Sequence, residues 1–116
     1  MKPPLSPESV VQHQLDAYNA RDLEKFLAAF SEDVRLYRPP AEEAAIVGRE
    51  ALGAFYATQR FNHAGLHAEL LGRIVLGGKV IDHERITGVQ EEAFEVVVAY
   101  EVNAGLIRRL WGFAKG

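Results

Sequence analysis

Apolar residues recur three and four apart in the first half of the chain and two apart in the second, so the period itself divides it into helices and strands. Val10, Val11, Gln14, Leu15 and Tyr18 fall on one helical face behind Ser6-Pro7-Glu8. Serine there accepts an orphan amide, proline suits the first helical position and the acid meets the positive end of the helix dipole. A helix from Pro7 to Ala20 is predicted. Asp22 caps a second helix, in which Leu23, Phe26, Leu27 and Phe30 repeat the spacing until Ser31-Glu32-Asp33 closes it. Val34, Leu36 and Arg38 then alternate with Arg35 and Tyr37 in a short strand that Pro39-Pro40 ends, because proline donates nothing to a ladder. An acidic loop leads to a third helix through Leu52, Phe55, Tyr56 and Gln59, ending before Asn62.

From His67 onward the pattern is β. Segments His67 to Leu76 and Lys79 to Thr87 flank Gly77-Gly78, a pair that takes the positive φ angles of a two-residue hairpin turn. Segments Glu92 to Val102 and Leu106 to Ala114 flank Asn103-Ala104-Gly105. The predicted class is α+β: three N-terminal helices cover one face of a curved, mostly antiparallel sheet, giving a cone with an open mouth. The 116 residues, 48% of them hydrophobic, fit one domain over residues 7–116 behind an extension at residues 1–6. No stretch approaches the ~18 apolar residues of a membrane span, and the first residues lack the apolar run of a signal peptide, so a cytoplasmic protein without a membrane partner is expected. A net charge of -3 argues against nucleic acid as a partner. The absence of cysteine removes thiolate nucleophiles, iron–sulfur clusters and disulfides.

Four strings carry a resemblance: Ala17-Tyr18-Asn19-Ala20-Arg21-Asp22, Phe30-Ser31-Glu32-Asp33-Val34, Gly48-Arg49-Glu50-Ala51-Leu52, and Tyr100-Glu101-Val102 through Gly105 to Trp111. With the element order they resemble the nuclear transport factor 2-like superfamily, in particular its SnoaL-like and steroid isomerase-like branch. The resemblance implies a ligand cavity between the helices and the concave sheet face. It does not fix an activity, because this scaffold hosts isomerases, cyclases, epoxide hydrolases and proteins without chemistry.

Strand parity then selects candidate residues. The family's register implies that His83, Arg85 and Thr87, with Ile81, face the cavity, and that Asp82, Glu84 and Ile86 face away. Arg109, Trp111 and Phe113 form the corresponding set on the last strand, joined by Leu36 and Arg38 from the first. Gln14, Tyr18 and Tyr56 complete the lining from the helices. Steroid isomerase-like relatives carry a general-base aspartate where Arg38 precedes Pro39, and an arginine, with a pKa above ~12, cannot accept that proton. Their helix-one tyrosine falls on Gln14, one turn from Tyr18. Of the epoxide hydrolase pattern Arg85 is retained, but Thr87 and Phe113 stand where its two acids would be.

The expected site is therefore a hollow without carboxylates. His83 is the candidate acid–base group, with Glu95 or Glu101 as neighbour. Arg85 and Arg38 hold an anion or developing negative charge, unless Arg38 sits at the rim in water or paired with Glu42 or Glu43. Gln14, Tyr18, Leu36, Tyr56, Thr87, Trp111 and Phe113 contact the substrate. His63, His67 and His83 lack the spacing of a metal site, and no phosphate-binding glycine loop is present, so no metal and no cofactor is expected. The expected function is binding of a small hydrophobic molecule, carbonyl-bearing or anionic, with cofactor-independent acid–base chemistry of isomerase, cyclase or lyase type. The alternative is a binding or association module without chemistry. In either case a homodimer through the convex sheet face is expected, since its apolar positions need cover.

Overall fold

Residues 5–115 are described by a computed structural model; residues 1–4, most of the expected extension, and Gly116 lie outside the described residues. The order is α1 (Pro7–Asn19), α2 (Leu23–Leu27), β1 (Phe30–Tyr37), β2 (Ala44–Val47), α3 (Arg49–Gln59), β3 (His67–Leu76), β4 (Lys79–Thr87), β5 (Phe94–Asn103) and β6 (Leu106–Ala114). The six strands form one sheet in the order β2-β1-β6-β5-β4-β3. Every pairing is antiparallel except that of β1 with β6. The three helices pack on one face, as the change of period predicts. No helix among the described residues is long and apolar enough to cross a membrane.

Local signals start α1 and α2. Ser6 Oγ accepts from the Ser9 amide at 3.1 Å, and Asp22 Oδ1 accepts from the Lys25 amide at 3.1 Å. These bonds satisfy orphan donors at the two helix starts. The second helix is shorter than its spacing implies. It stops at Leu27, and Phe30 opens β1 rather than closing the helix. Phe30 is fully buried opposite Ile107 of β6, and the Ile107 amide donates to the Ala29 carbonyl at 2.8 Å. Tertiary pairing therefore outweighs the helical periodicity of this segment. The segment read as an acidic loop contains β2, which pairs with β1 through Arg35–Val47 and Leu36–Ile46.

The core lies between helices and sheet. Tyr18, Phe26, Tyr56 and Phe61 form an aromatic layer, with ring centroids 4.7 Å apart for Phe26–Tyr56 and 5.5 Å for Tyr18–Phe61. Edge and tilted contacts of this kind fix ring orientation as well as burying area. The far end of α1 is pinned to β3 by Asn19, whose Nδ2 donates to the Ala68 carbonyl at 3.0 Å while its Oδ1 accepts from the Ala68 amide at 2.7 Å. Ala68 is buried, so both of its backbone groups depend on this one side chain. Asn19→Ala should therefore lower unfolding free energy by about 2–3 kcal/mol in urea denaturation, and a loss below ~0.5 kcal/mol would contradict the assignment.

Candidate functional site

The alternation along β4 decides which side chains reach the space under the helices. Val80, Asp82, Glu84 and Ile86 are buried, and Ile81, His83, Arg85 and Thr87 are exposed. This is the opposite parity to the one implied by the family resemblance. The registers explain it. The Gly77-Gly78 turn pairs Leu76 with Lys79 and places Arg73 opposite Asp82, while an irregularity between Leu70 and Gly72 adjusts the rest of β3 to β4. Strand β5 then sets Val96, Val98 and Tyr100 beside Glu84, Asp82 and Val80. Inverting β4 would bury His83 and Arg85 and expose Val80 and Ile86, a change the core does not permit.

A cavity of about 540 Å³ opens between α1, α3 and the sheet. Such a volume lies within the range of small-molecule sites. Gln14, Tyr18, Leu36, Arg38, Tyr56 and Phe113 line it. His83, Arg85, Thr87 and Trp111 do not. The three β4 residues sit on the outer face, where His83 Nε2 lies 2.6 Å from Glu95 Oε1. Trp111 stacks on Tyr37 with centroids 5.7 Å apart. Arg109 is also outside, its Nε donating to Glu101. Arg38 makes no ion pair with Glu42 or Glu43; its guanidinium lies over the Phe55 ring, 5.0 Å from the centroid.

Glu84 overturns the expectation of a hollow without carboxylates. It lines the cavity at 6% exposure, and its Oε2 has no hydrogen-bond partner. Two residues away Asp82, 0% exposed, is held by Arg73, whose Nε and Nη2 donate to the two carboxylate oxygens at 2.7 and 3.0 Å. The remaining Arg73 Nη1 donates to Gln12 Oε1 at 2.9 Å. The guanidinium is committed to Asp82, so Glu84 has no cation of its own. Burial pushes the Glu84 carboxyl up to about 7, the Asp82 charge adds to the rise and Arg73 opposes it. Burial likewise raises the Tyr18 and Tyr100 phenols and takes Tyr56 to about 12. All three hydroxyls remain donors at neutral pH. Gln14 Nε2 donates to Tyr100 Oη at 3.2 Å, which ties α1 to β5 at the cavity wall.

Sequence reasoning thus missed Glu84, together with Arg60 and Val98 of the lining. The signal that could have found Glu84 is the cross-strand pair. Once Gly77-Gly78 fixes the hairpin, Arg73 faces Asp82, and two carboxyls at spacing two beside one arginine leave a carboxyl unpaired. Among the described residues no group of three or more His, Asp or Glu side chains is placed to hold a metal ion.

The SnoaL-like domain model matches residues 11–110. Among solved structures, a Kribbella flavida protein provisionally called a ketosteroid isomerase superposes with a TM-score of 0.83 at 24% identity, over 95% of this chain and 78% of that one. An NTF-2 like protein of unknown function from Burkholderia xenovorans superposes with a TM-score of 0.81 at 18% identity, over 94% of this chain and 82% of that one. At these identities the likeness is one of fold. No curated protein matches the chain significantly.

The carboxyl gives a measurable signature. Glu84 takes up its proton near 4.5 when unfolded and at about 7 when folded, so between these values the folded state holds the extra proton. Stability is therefore highest below the lower value and falls as pH rises to the upper one, by about 3 kcal/mol for this group. Glu84→Gln should flatten that decline and make the variant the more stable form at about pH 8 in denaturant titrations. A decline that persists unchanged in the variant would place the effect elsewhere.

Proposed function

The chain belongs to the SnoaL-like domain family, and from that premise we propose that it binds a small, mostly apolar, carbonyl-bearing molecule and moves a proton on it without a cofactor. Glu84 is the proton-transfer group. One observation carries this reading: a carboxyl at 6% exposure, with Oε2 unpartnered and a pKa of about 7, lines a cavity of about 540 Å³ whose other sheet residues are largely aliphatic. A buried carboxyl without a structural partner costs stability, and a pKa near the working pH is what a general acid–base needs.

In the reaction so assigned, ionised Glu84 accepts a proton from the carbon next to the carbonyl, and the electron pair moves onto the carbonyl oxygen. The Tyr18 and Tyr56 hydroxyls line the same cavity and are held protonated by burial, so they can donate to that oxygen as charge develops. Glu84 then returns its proton to the same carbon or to a conjugated one. His83, on the outer face, takes no part. A cytoplasmic setting belongs to this reading, and a cysteine-free chain tolerates it.

Proton exchange next to the carbonyl tests the proposal. In D₂O, nuclear magnetic resonance on cyclic ketones and enones should detect exchange catalysed by the wild type. Its rate should rise with pH through about 7, as Glu84 ionises. Glu84→Gln should lower it ~10³-fold or more, and Tyr18→Phe by ~10-fold or more. Binding without exchange would favour a module that only holds its ligand, and equal rates in Glu84→Gln would remove the assignment.

We propose further that a second copy covers the outer face of the sheet. By register Ile74, Ile81, Ala99, Trp111 and Tyr37 run side by side across β3, β4, β5, β6 and β1. Ile74 is 64% and Ile81 37% exposed. A continuous apolar band of this kind is costly in water. Sedimentation at micromolar concentration should give a dimer that Ile81→Glu converts to a monomer; a monomeric wild type would contradict the proposal.

A further inference from the structure

The cavity is charged asymmetrically along its depth. Its buried end holds Glu84, the one acidic side chain of the lining among the described residues, while Arg38, Arg60 and Lys115 also line it. Arg38 and Lys115 are exposed, and Arg60 is half-buried at the end of α3. None of these three cations makes an ion pair among the described residues. Elsewhere in the same chain the opposite holds: Arg73 and Arg109 are each committed to a carboxylate.

The two arginines are also placed, not merely near. Arg38 follows β1 and Arg60 follows α3, yet both guanidinium groups lie over one ring, that of Phe55, at 5.0 and 5.8 Å from its centroid. Arg60 lies 5.8 Å from the Phe94 centroid as well. Contacts of a guanidinium with a ring face orient the plane while leaving its N–H groups free along the edge. Arg60 Nη1 donates to the Gln59 carbonyl at 3.0 Å and the guanidinium also reaches the Tyr18 hydroxyl, but no carboxylate of the described residues engages it. Two like charges gathered at one ring, without an acid between them, form a fork for an anion.

We infer that the natural ligand is an amphipathic carboxylate, its apolar body in the cavity and its carboxylate held at the mouth by Arg38 and Arg60. This rests on the cavity-binding reading above and adds the class of ligand to it. A carboxylate fits because a planar, two-oxygen acceptor meets a guanidinium edge to edge. The two ends also impose a direction. The anion stays with the exposed cations, and the reacting carbon and carbonyl lie toward Glu84, so the carboxylate is a handle and takes no part in the proton transfer.

Matched acid and primary-amide pairs built on phenyl, naphthyl and decalin bodies test this by calorimetric titration at neutral pH. At least one acid should bind ~10-fold or more tightly than its amide, and the preference should weaken as salt is raised. Arg38→Gln with Arg60→Gln should bring acid and amide affinities within ~2-fold of each other while amide binding stays measurable, a pattern that loss of folding would not produce. Glu84→Gln should keep the preference even though it loses proton exchange, which separates the two proposals. An amide that binds as tightly as its acid, or a preference that survives loss of both arginines, would overturn the anion assignment and leave the cavity reading intact. If no acid and no amide binds, both readings fall together.

Discussion

One guanidinium shared unequally between two buried carboxyls sets the chemistry of this cavity. Asp82 and Glu84 both point inward from β4, and Arg73 gives Asp82 two hydrogen bonds and Glu84 none. The geometry of β3 forces that choice, because Arg73 stands directly opposite Asp82 in the register. Glu84 is left with burial on one side and a negative neighbour on the other, and both disfavour its charged form. An unpartnered carboxyl inside a domain is a liability for folding. Here it faces a cavity, where a ligand's polar group can complete it.

The fold supplies the conditions for that arrangement. The aromatic layer of α1, α2, α3 and the following turn fixes where Tyr18 and Tyr56 stand relative to the sheet. Asn19 and the Gln14–Tyr100 bond tie α1 to β3 and β5, so the roof and floor of the cavity are held by hydrogen bonds as well as packing. The parallel pairing of β1 with β6 brings Arg38, at the end of β1, to the mouth of the cavity. Opposite, the outer face keeps His83 against Glu95 and Arg109 paired with Glu101, contacts exposed enough to contribute little to stability.

Most of the architecture was legible in the chain, because it follows from periods of 3.6 and 2 and from caps such as Ser6 and Asp22. The errors are physical in origin. Phe30 keeps a helical spacing from Phe26, but pairing with β6 decides its conformation. β2 is four residues long and half-exposed, too short to impose an alternation. The cavity was legible from the helices, where Gln14, Tyr18 and Tyr56 fall on the buried faces. It was not read from β4, where aliphatic residues fall on both faces: Val80 and Ile86 with two acids on one side, Ile81 with lysine, histidine, arginine and threonine on the other. Two acids look like a solvent face until Arg73 is seen across the hairpin. The family's register, carried onto this strand without that partner, put His83, Arg85 and Thr87 inside and Glu84 outside.

The proton chemistry proposed for the cavity depends on the protonation of a single side chain. The most direct measurement is a carbon-13 nuclear magnetic resonance titration of the glutamate side-chain carboxyls, with Glu84→Gln used to assign its resonance. A midpoint at about 7 for Glu84, well separated from the exposed glutamates, is the result expected. A midpoint near 4.5, in the ordinary range of a solvated carboxylate, would contradict it.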